Sequence, residues 1–258
     1  MTSAPGAVAT LLDGCAARSG PDRDELRRVL APSGALRVGV YAGSPTSLVR
    51  GPDGVDRGVT AELGRVLAQR LGVAVEQVEL ARVSLVIDAL QAGTLDFTVT
   101  NATAQRAERI DFTSPLIDLE LGVLTLPDSP VQAIDDLDRP GQRIGVTQGG
   151  TSEATLAQRL RSAHVVPAAS LAEAAQRLAA RELDAFATNK AILFELADSV
   201  PGARVLPGRW GVEHLAIAVP KGRRAGARFL EATAQELRAS GAVREAAQRA
   251  GLRGVAPP

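Results

Sequence analysis

Aromatic side chains are scarce in this chain: five Phe, one Tyr and one Trp in 258 residues. Its cores must therefore be built from Ala, Val, Leu and Ile. Cysteine is scarcer still. Cys15 stands alone, which excludes an intrachain disulfide. The two histidines, His164 and His214, lie far apart and outside any ligand pattern, so no zinc site is expected. Net charge is absent as well. The 29 basic residues balance 29 acidic ones, and without a basic excess neither nucleic acid nor an anionic membrane is an expected partner. No apolar run approaches the ~20 residues of a membrane span. A Walker loop, an HExxH pair, a G-x-G-x-x-G dinucleotide loop and a Ser/His/Asp order are all missing, and no cofactor is expected.

The first residues lack the features of a secretion signal. Met1 to Ala17 holds no basic residue and no long apolar centre. Leu12-Asp13-Gly14-Cys15 is a loose lipoprotein box whose aspartate argues against lipidation. The segment up to about Gly20 reads as a tail. Asp24 to Leu30 reads as a short helix capped by Asp22 or Asp24.

What is present is a strand–helix alternation. Leu36, Val38 and Val40 alternate as in a strand. Ser44 to Arg57 is a loop. Leu63, Val66, Leu67 and Leu71 fall at helical spacing, and Gly72 stops that helix. Val73 to Leu80 reads as a strand, Ser84 to Ala92 as a helix ended by Gly93, and Asp96 to Thr100 as a third strand. This order implies a parallel sheet with right-handed crossovers, with ligands beyond the carboxyl ends of the strands. Thr100, Asn101 and Thr103 lie just there.

Glu120 to Leu126 is apolar and extended, and reads as a first crossing into a second lobe. Asp128 to Gly141 is a connection. The alternation then restarts with a strand at Arg143 to Thr147, a helix at Glu153 to Leu160, a helix at Ser170 to Ala180, a strand at Leu183 to Ala187 and a helix at Ala191 to Ala197. His214 to Val219 is the return crossing, and two last helices span Ala225 to Ser240 and Val243 to Ala250. Residues 126 to 214 do not obviously repeat residues 36 to 120, and no internal repeat is read.

Two stretches carry chemistry. In TAQRAERIDFTSP, Arg106 lies three residues after Thr103 and six before Phe112. In GVTQGGTSE, Gly149, Gly150, Thr151 and Ser152 lie between a strand and a helix start. An arginine offers a planar fork that matches two carboxylate oxygens. A helix start offers unpaired N–H groups and a positive dipole end. Both suit a small carboxylate. Arg106 could instead pair on the surface with Glu108 or Asp111, Thr103 could simply cap a short helix, and Gly150 to Ser152 could be an ordinary capped turn. Trp210 could line the cleft or pack at the hinge, and Tyr41 could be core.

These stretches, in this order, resemble the family 3 extracellular solute-binding proteins, the polar amino-acid receptors of ABC importers, from about Ala35 to about Leu252. The resemblance also rests on LRVGV at Leu36 to Val40, the glycine-led helix from Gly58, the LDA strand at Leu183 and the Pro-Lys ending at Lys221. It implies an α/β, two-lobed periplasmic-binding-protein type 2 fold, each lobe a mostly parallel sheet flanked by helices, with two hinge crossings. Residues 1–34 would be a tail and short helix, 35–122 with 217–258 one lobe, and 123–216 the other. It implies a monomeric receptor that captures a carboxylate ligand and presents it to an ABC permease, outside the cytoplasm. A cytosolic or sensor-linked carboxylate-binding protein without a transporter is the alternative that the N-terminus favours. The implied ligand-binding residues are Arg106, Thr103, Thr100, Asn101, Gly150, Thr151, Ser152, Asn189 and Ser44.

The chain departs from the family at Asn189. Amino-acid receptors of this kind carry there an aspartate that binds the ligand's ammonium group, and an amide cannot neutralise a cation. Either another carboxylate supplies the charge or the ligand has no ammonium. Aromatic platforms are also missing, so the pocket is expected to be more aliphatic and polar. Gly149 to Glu153 is similar to a loop of the cyclohexadienyl dehydratases, which share the fold. Ile192 stands where their general acid would be, so no catalysis is expected. Asp88, Asp118 and Glu120 remain as acids that could face the cleft.

Overall fold

The computed structural model describes residues 22–51 and 53–257. The tail and the lipoprotein-like tetrad lie outside the described residues. Helix α1 (Arg23–Leu30) starts on Asp22, whose side chain faces the Asp24 amide, and buries Leu26 and Leu30. Strand β1 (Ala35–Val40) follows, then the short hairpin β2 (Val49–Arg50) and β3 (Asp56–Arg57) within the expected loop. Helix α2 (Val59–Leu71) buries Leu63, Leu67 and Leu71 and ends on Gly72 in the left-handed region, φ 66°. Gly64 lets it approach β1 closely, because a Cβ there would meet Val38 Cγ2 at 2.7 Å. Strand β4 (Ala74–Glu79), helix α3 (Val83–Gln91) and strand β5 (Thr98–Asn101) complete the first strand–helix series.

A short helix, α4 (Ala104–Ala107), and strand β6 (Ile110–Phe112) lead into β7 (Ile117–Thr125). Beyond a 3-10 turn at Ile134–Asp138 come β8 (Arg143–Thr147), α5 (Thr151–Arg159), β9 (His164–Ala168), α6 (Leu171–Ala179), β10 (Ala185–Asn189), α7 (Lys190–Ser199) and β11 (Arg204–Val205). Strand β12 (Gly211–Pro220) returns, and α8 (Arg224–Ala239) and α9 (Ala242–Arg249) close the chain. β9 escaped the sequence reading because Pro167 interrupts its pattern. It is an edge strand, where a missing N–H costs no ladder bond.

The parallel pairs are β1 with β4, β8 with β9, and β10 with β8. The long strands β7 and β12 are antiparallel to each other and to their neighbours, so the eight-stranded sheet, ordered β5-β12-β7-β10-β8-β9, is mixed rather than mostly parallel. Strand β7 joins the two strand–helix series. β7 faces Leu215 of β12 at Ile117 and Ala185 of β10 at Thr125. One aliphatic core gathers α1, α2, β1, α8 and α9, two lie on either side of the β7-β10-β8 sheet, and a fourth joins α3 to β6 and β12.

The halves share a unit that the sequence reading missed. Gly93-Thr94-Leu95-Asp96 runs on to Thr100-Asn101, and Arg181-Glu182-Leu183-Asp184 runs on to Thr188-Asn189 at the same spacing. Gly93 (φ 70°) and Arg181 (φ 59°) make the same left-handed turn. Arg37 of β1 grips Asp96 through its amide and guanidinium at 2.8 to 3.0 Å, and reaches Gly93 O at 2.7 Å. Arg143 of β8 does the same to Asp184 at 2.7 to 3.1 Å, and reaches Arg181 O at 2.8 Å. Each unit locks a helix C-terminus to the first strand of its half. Each also delivers a Thr-Asn pair at the end of a strand.

Candidate functional site

Those two Thr-Asn pairs meet. Thr100, Asn101, Thr188 and Asn189 all line one cavity, together with Arg106, Gly150, Thr151 and Ser152. The cavity comprises about 490 Å³ of empty space, part of it continuous with solvent. Its remaining walls are aliphatic at Val83, Val99, Ile192 and Leu215 and polar at Thr46, Thr147 and Glu213, with Tyr41 as the aromatic side chain. A single aromatic wall accords with the expected aliphatic, polar pocket.

Arg106 enters from α4. Thr103 caps that helix, its Oγ1 accepting from the Arg106 amide at 3.2 Å. The side chain turns inward and is 8% exposed. Its Nη1 donates to Thr100 Oγ1 at 2.9 Å and to the Asn101 carbonyl at 3.2 Å. Among the described residues no carboxylate pairs with it; the surface pairing with Glu108 or Asp111 does not form. Burial pulls this guanidinium below the usual arginine range, and the charges of Glu213 and Tyr41 act against that shift. A buried cation without a contact anion calls for one.

Across the cavity stands the start of α5. Gly150 is its N-cap and supplies no side-chain bond, so the first N–H groups of the helix lack a side-chain cap. Ser152 Oγ is buried without a hydrogen-bond partner among the described residues. Glu153 stays outside and accepts from the Gly149 amide at 2.5 Å.

Glu213 of β12 was not foreseen. It is 6% exposed. Oε1 accepts from Thr151 Oγ1 at 2.6 Å, and Oε2 accepts from Asn189 Nδ2 at 3.1 Å. Asn189 Oδ1 meanwhile accepts from the Ile192 amide at 3.2 Å and caps α7. Asn101 Nδ2 reaches Thr151 Oγ1 at 3.4 Å, and its Oδ1 accepts from the His214 amide at 2.9 Å. One chain of bonds thus runs from β5 through the α5 start and β12 to the α7 start.

Two of the expected residues stand apart from the cavity. Ser44 is fully buried and bonds Thr46 Oγ1 at 2.8 Å, and it is Thr46 that lines the wall. Thr103 lies at the outer mouth, beside Gly149 and Gln105. Burial raises the Tyr41 hydroxyl above its usual range, with the hydroxyls of Ser44 and Thr46 opposing the shift. Trp210 packs at the crossing, its Nε1 donating to the Gly122 carbonyl at 2.8 Å. Asp88 pairs with Arg109, Asp118 with His214, and Glu120 with Lys190 and Arg209, all away from the cavity.

The sequence profile of the bacterial extracellular solute-binding proteins, family 3, matches residues 36–251. The ABC transporter glutamine-binding protein GlnH of Bacillus subtilis is 26% identical over 157 residues, 60% of this chain and 57% of that protein. The match thus spans little more than half of that relative's length. An ancestral arginine-binding protein bound to glutamine superposes with a TM-score of 0.74 at 25% identity, covering 84% of this chain and 97% of that one. An ancestral amino acid-binding protein described as a precursor of cyclohexadienyl dehydratase shares the fold, with a TM-score of 0.74 at 24% identity over 88% of this chain and 98% of that one.

Proposed function

This chain belongs to the bacterial extracellular solute-binding proteins, family 3, and we propose that it captures a small carboxylate-bearing ligand, an amino acid or a related organic acid, for an ABC importer. The observation that carries the reading is Arg106, buried without an anionic partner and sharing a cavity with the uncapped start of α5. Arg106 takes the ligand's carboxylate in a two-pronged grip, and Thr100 holds the guanidinium in place. Gly150, Thr151 and Ser152 bring helix-start N–H groups and hydroxyls from the other side. Asn101 and Asn189 tie the walls. Thr103 acts by capping α4, and Ser44 by holding Thr46.

The lobes are residues 35–122 with 217–258, and 123–216. They close by hinging about β7 and β12. Ligand contacts on both sides favour closure through their differential affinity for the closed form. Asn101 to Thr151 and Ser84 Oγ to Gln148 O, at 3.3 Å, are bonds that opening breaks. A monomer in the closed shape is what the permease meets, outside the cytoplasm as the family's description implies.

A catalytic reading has two observations behind it, the dehydratase-like loop at Gly149 to Glu153 and the buried carboxylate of Glu213 in the cavity. Both its oxygens are taken up by hydrogen bonds to Thr151 and Asn189, and among the described residues no second acid and no histidine lines the cavity beside it to share a proton transfer. Binding is the better account.

A thermal-shift screen against amino acids, keto acids, dicarboxylates and small amides tests the proposal. Ligand at about 100 times its dissociation constant should stabilise by ~2.7 kcal/mol, and Arg106→Ala should abolish the shift. A ligand that stabilises the Arg106→Ala protein equally removes Arg106 from the site.

A further inference from the structure

We propose that Glu213 binds the ligand's cationic pole, and that the cavity selects α-amino acids whose side chain carries no charge. This rests on the carboxylate-receptor reading above and narrows it. Asn189 occupies the place where an acidic residue would neutralise an ammonium group, and it cannot do so. In this chain it does something else: its amide nitrogen donates to Glu213 Oε2 at 3.1 Å. Thr151 Oγ1 donates to Glu213 Oε1 at 2.6 Å. Two neutral donors, one per oxygen, hold the carboxylate while leaving each oxygen a further lone pair. No lysine or arginine pairs with it among the described residues.

A carboxylate 6% exposed with only neutral partners lacks the counter-charge that buried anions ordinarily require. Arg106 is the same case with the opposite sign. The two line one cavity, and no other charged side chain does. One cation and one anion, each without a charged contact, in a single cavity match a zwitterion. The count also sets the specificity. A ligand with a third charge would find no charged partner left among the lining residues, and that desolvation excludes lysine-like and glutamate-like side chains.

Two measurements decide the matter. The twenty standard amino acids are first screened by thermal shift, beside propionate, lactate, hexanoate and succinate. The strongest amino acid and its des-amino analogue are then compared by calorimetry on the wild-type chain and on Glu213→Gln. We expect the best ligand to have a neutral side chain and to bind at least a hundredfold more tightly than its des-amino analogue. Norleucine should bind at least tenfold more tightly than lysine, and glutamine more tightly than glutamate. Glu213→Gln should lose the hundredfold preference and leave binding of the des-amino analogue within about threefold. If that variant does not fold, the wild-type ratio alone decides. Des-amino acids that bind as tightly as amino acids, or a best ligand with a charged side chain, overturn the proposal and leave the carboxylate receptor standing. No shift with any carboxylate overturns both.

Discussion

Replacing Arg106 by methionine separates a binding residue from a structural one. The guanidinium is buried and makes two hydrogen bonds within the protein, to Thr100 Oγ1 and the Asn101 carbonyl. Bonds from charged donors contribute ~1.5–3 kcal/mol each. Against them stands the desolvation of a cation with no contact anion, several kcal/mol even after relaxation. The two terms are of similar size. Methionine can take the same buried position without a charge, so the ligand-free protein should change by no more than about 1 kcal/mol in either direction, or roughly 2–4 °C.

Asp96→Asn is the contrast. That carboxylate is fully buried and accepts from Arg37 and from Arg223 Nη2, the latter at 2.7 Å. Neutralising it leaves two partly buried guanidinium groups short of their anion, a loss of about 3–5 kcal/mol. Calorimetric melting of the two variants without ligand, beside the same melts with ligand, tests the distinction. Arg106→Met should melt like the wild type and gain nothing from ligand. Asp96→Asn should melt roughly 6–20 °C lower yet still respond. A ligand-free loss of more than ~3 kcal/mol in Arg106→Met would show that the side chain is held for structure, and the argument from its unpaired charge would fail.

Other outcomes follow from the same contacts. Burial opposes ionisation of Asp96, but bonds from Arg37 and Arg223 outweigh it and hold its pKa below the usual value; Asp184 is lowered chiefly by Arg143. A carboxylate depressed in the folded state adds stability above its unfolded pKa of ~3.9 and loses it as pH falls through the folded value, so urea titrations should show stability falling below about pH 4, less steeply in Asp96→Asn. Trp210→Phe removes the bond to Gly122 O at the crossing, while Gly122 keeps its place opposite Thr188 in the sheet, and should cost about 0.5–1.5 kcal/mol in a denaturant melt, the net worth of one hydrogen bond. Gly93→Ala puts a Cβ where no atom lies within 4 Å but at φ 70°, so it should cost only the left-handed strain of about 1–2 kcal/mol by the same melt.

The fold was legible because its elements are long and punctuated. Gly72 and Gly93 end helices in the left-handed region, and the apolar runs of β7 and β12 announce the two crossings. Arg106 was legible from its motif. Glu213 was not, because the return crossing was begun one residue too late, at His214. Strand period would have found it: β12 starts at Gly211, and position 213 shares a face with the inward Leu215 and Ile217. The paired Arg–Asp units were hidden for another reason. Arg37 and Asp96 lie 59 residues apart, Arg143 and Asp184 only 41. The matching Leu-Asp-x-x-x-Thr-Asn segments are therefore found only by aligning the strand ends rather than the halves.

The position of Glu213 also bears on how closure would be transmitted. Arg106 is carried by α4 and tied to β5 through Thr100 and Asn101. Glu213 lies on β12 itself, yet its two donors come from the starts of α5 and α7. A zwitterion spanning Arg106 and Glu213 therefore pulls on one half directly and on the other through Thr151 and Asn189. Removing the Thr151 hydroxyl leaves both charged groups in place but cuts the link from Asn101 through Thr151 to Glu213. Thr151→Val should thus weaken ligand binding, by roughly tenfold for a lost bond of ~1.4 kcal/mol, and should widen the closed form in small-angle scattering at saturating ligand. Weaker binding with an unchanged scattering radius would make Thr151 a contact only, with no part in closure.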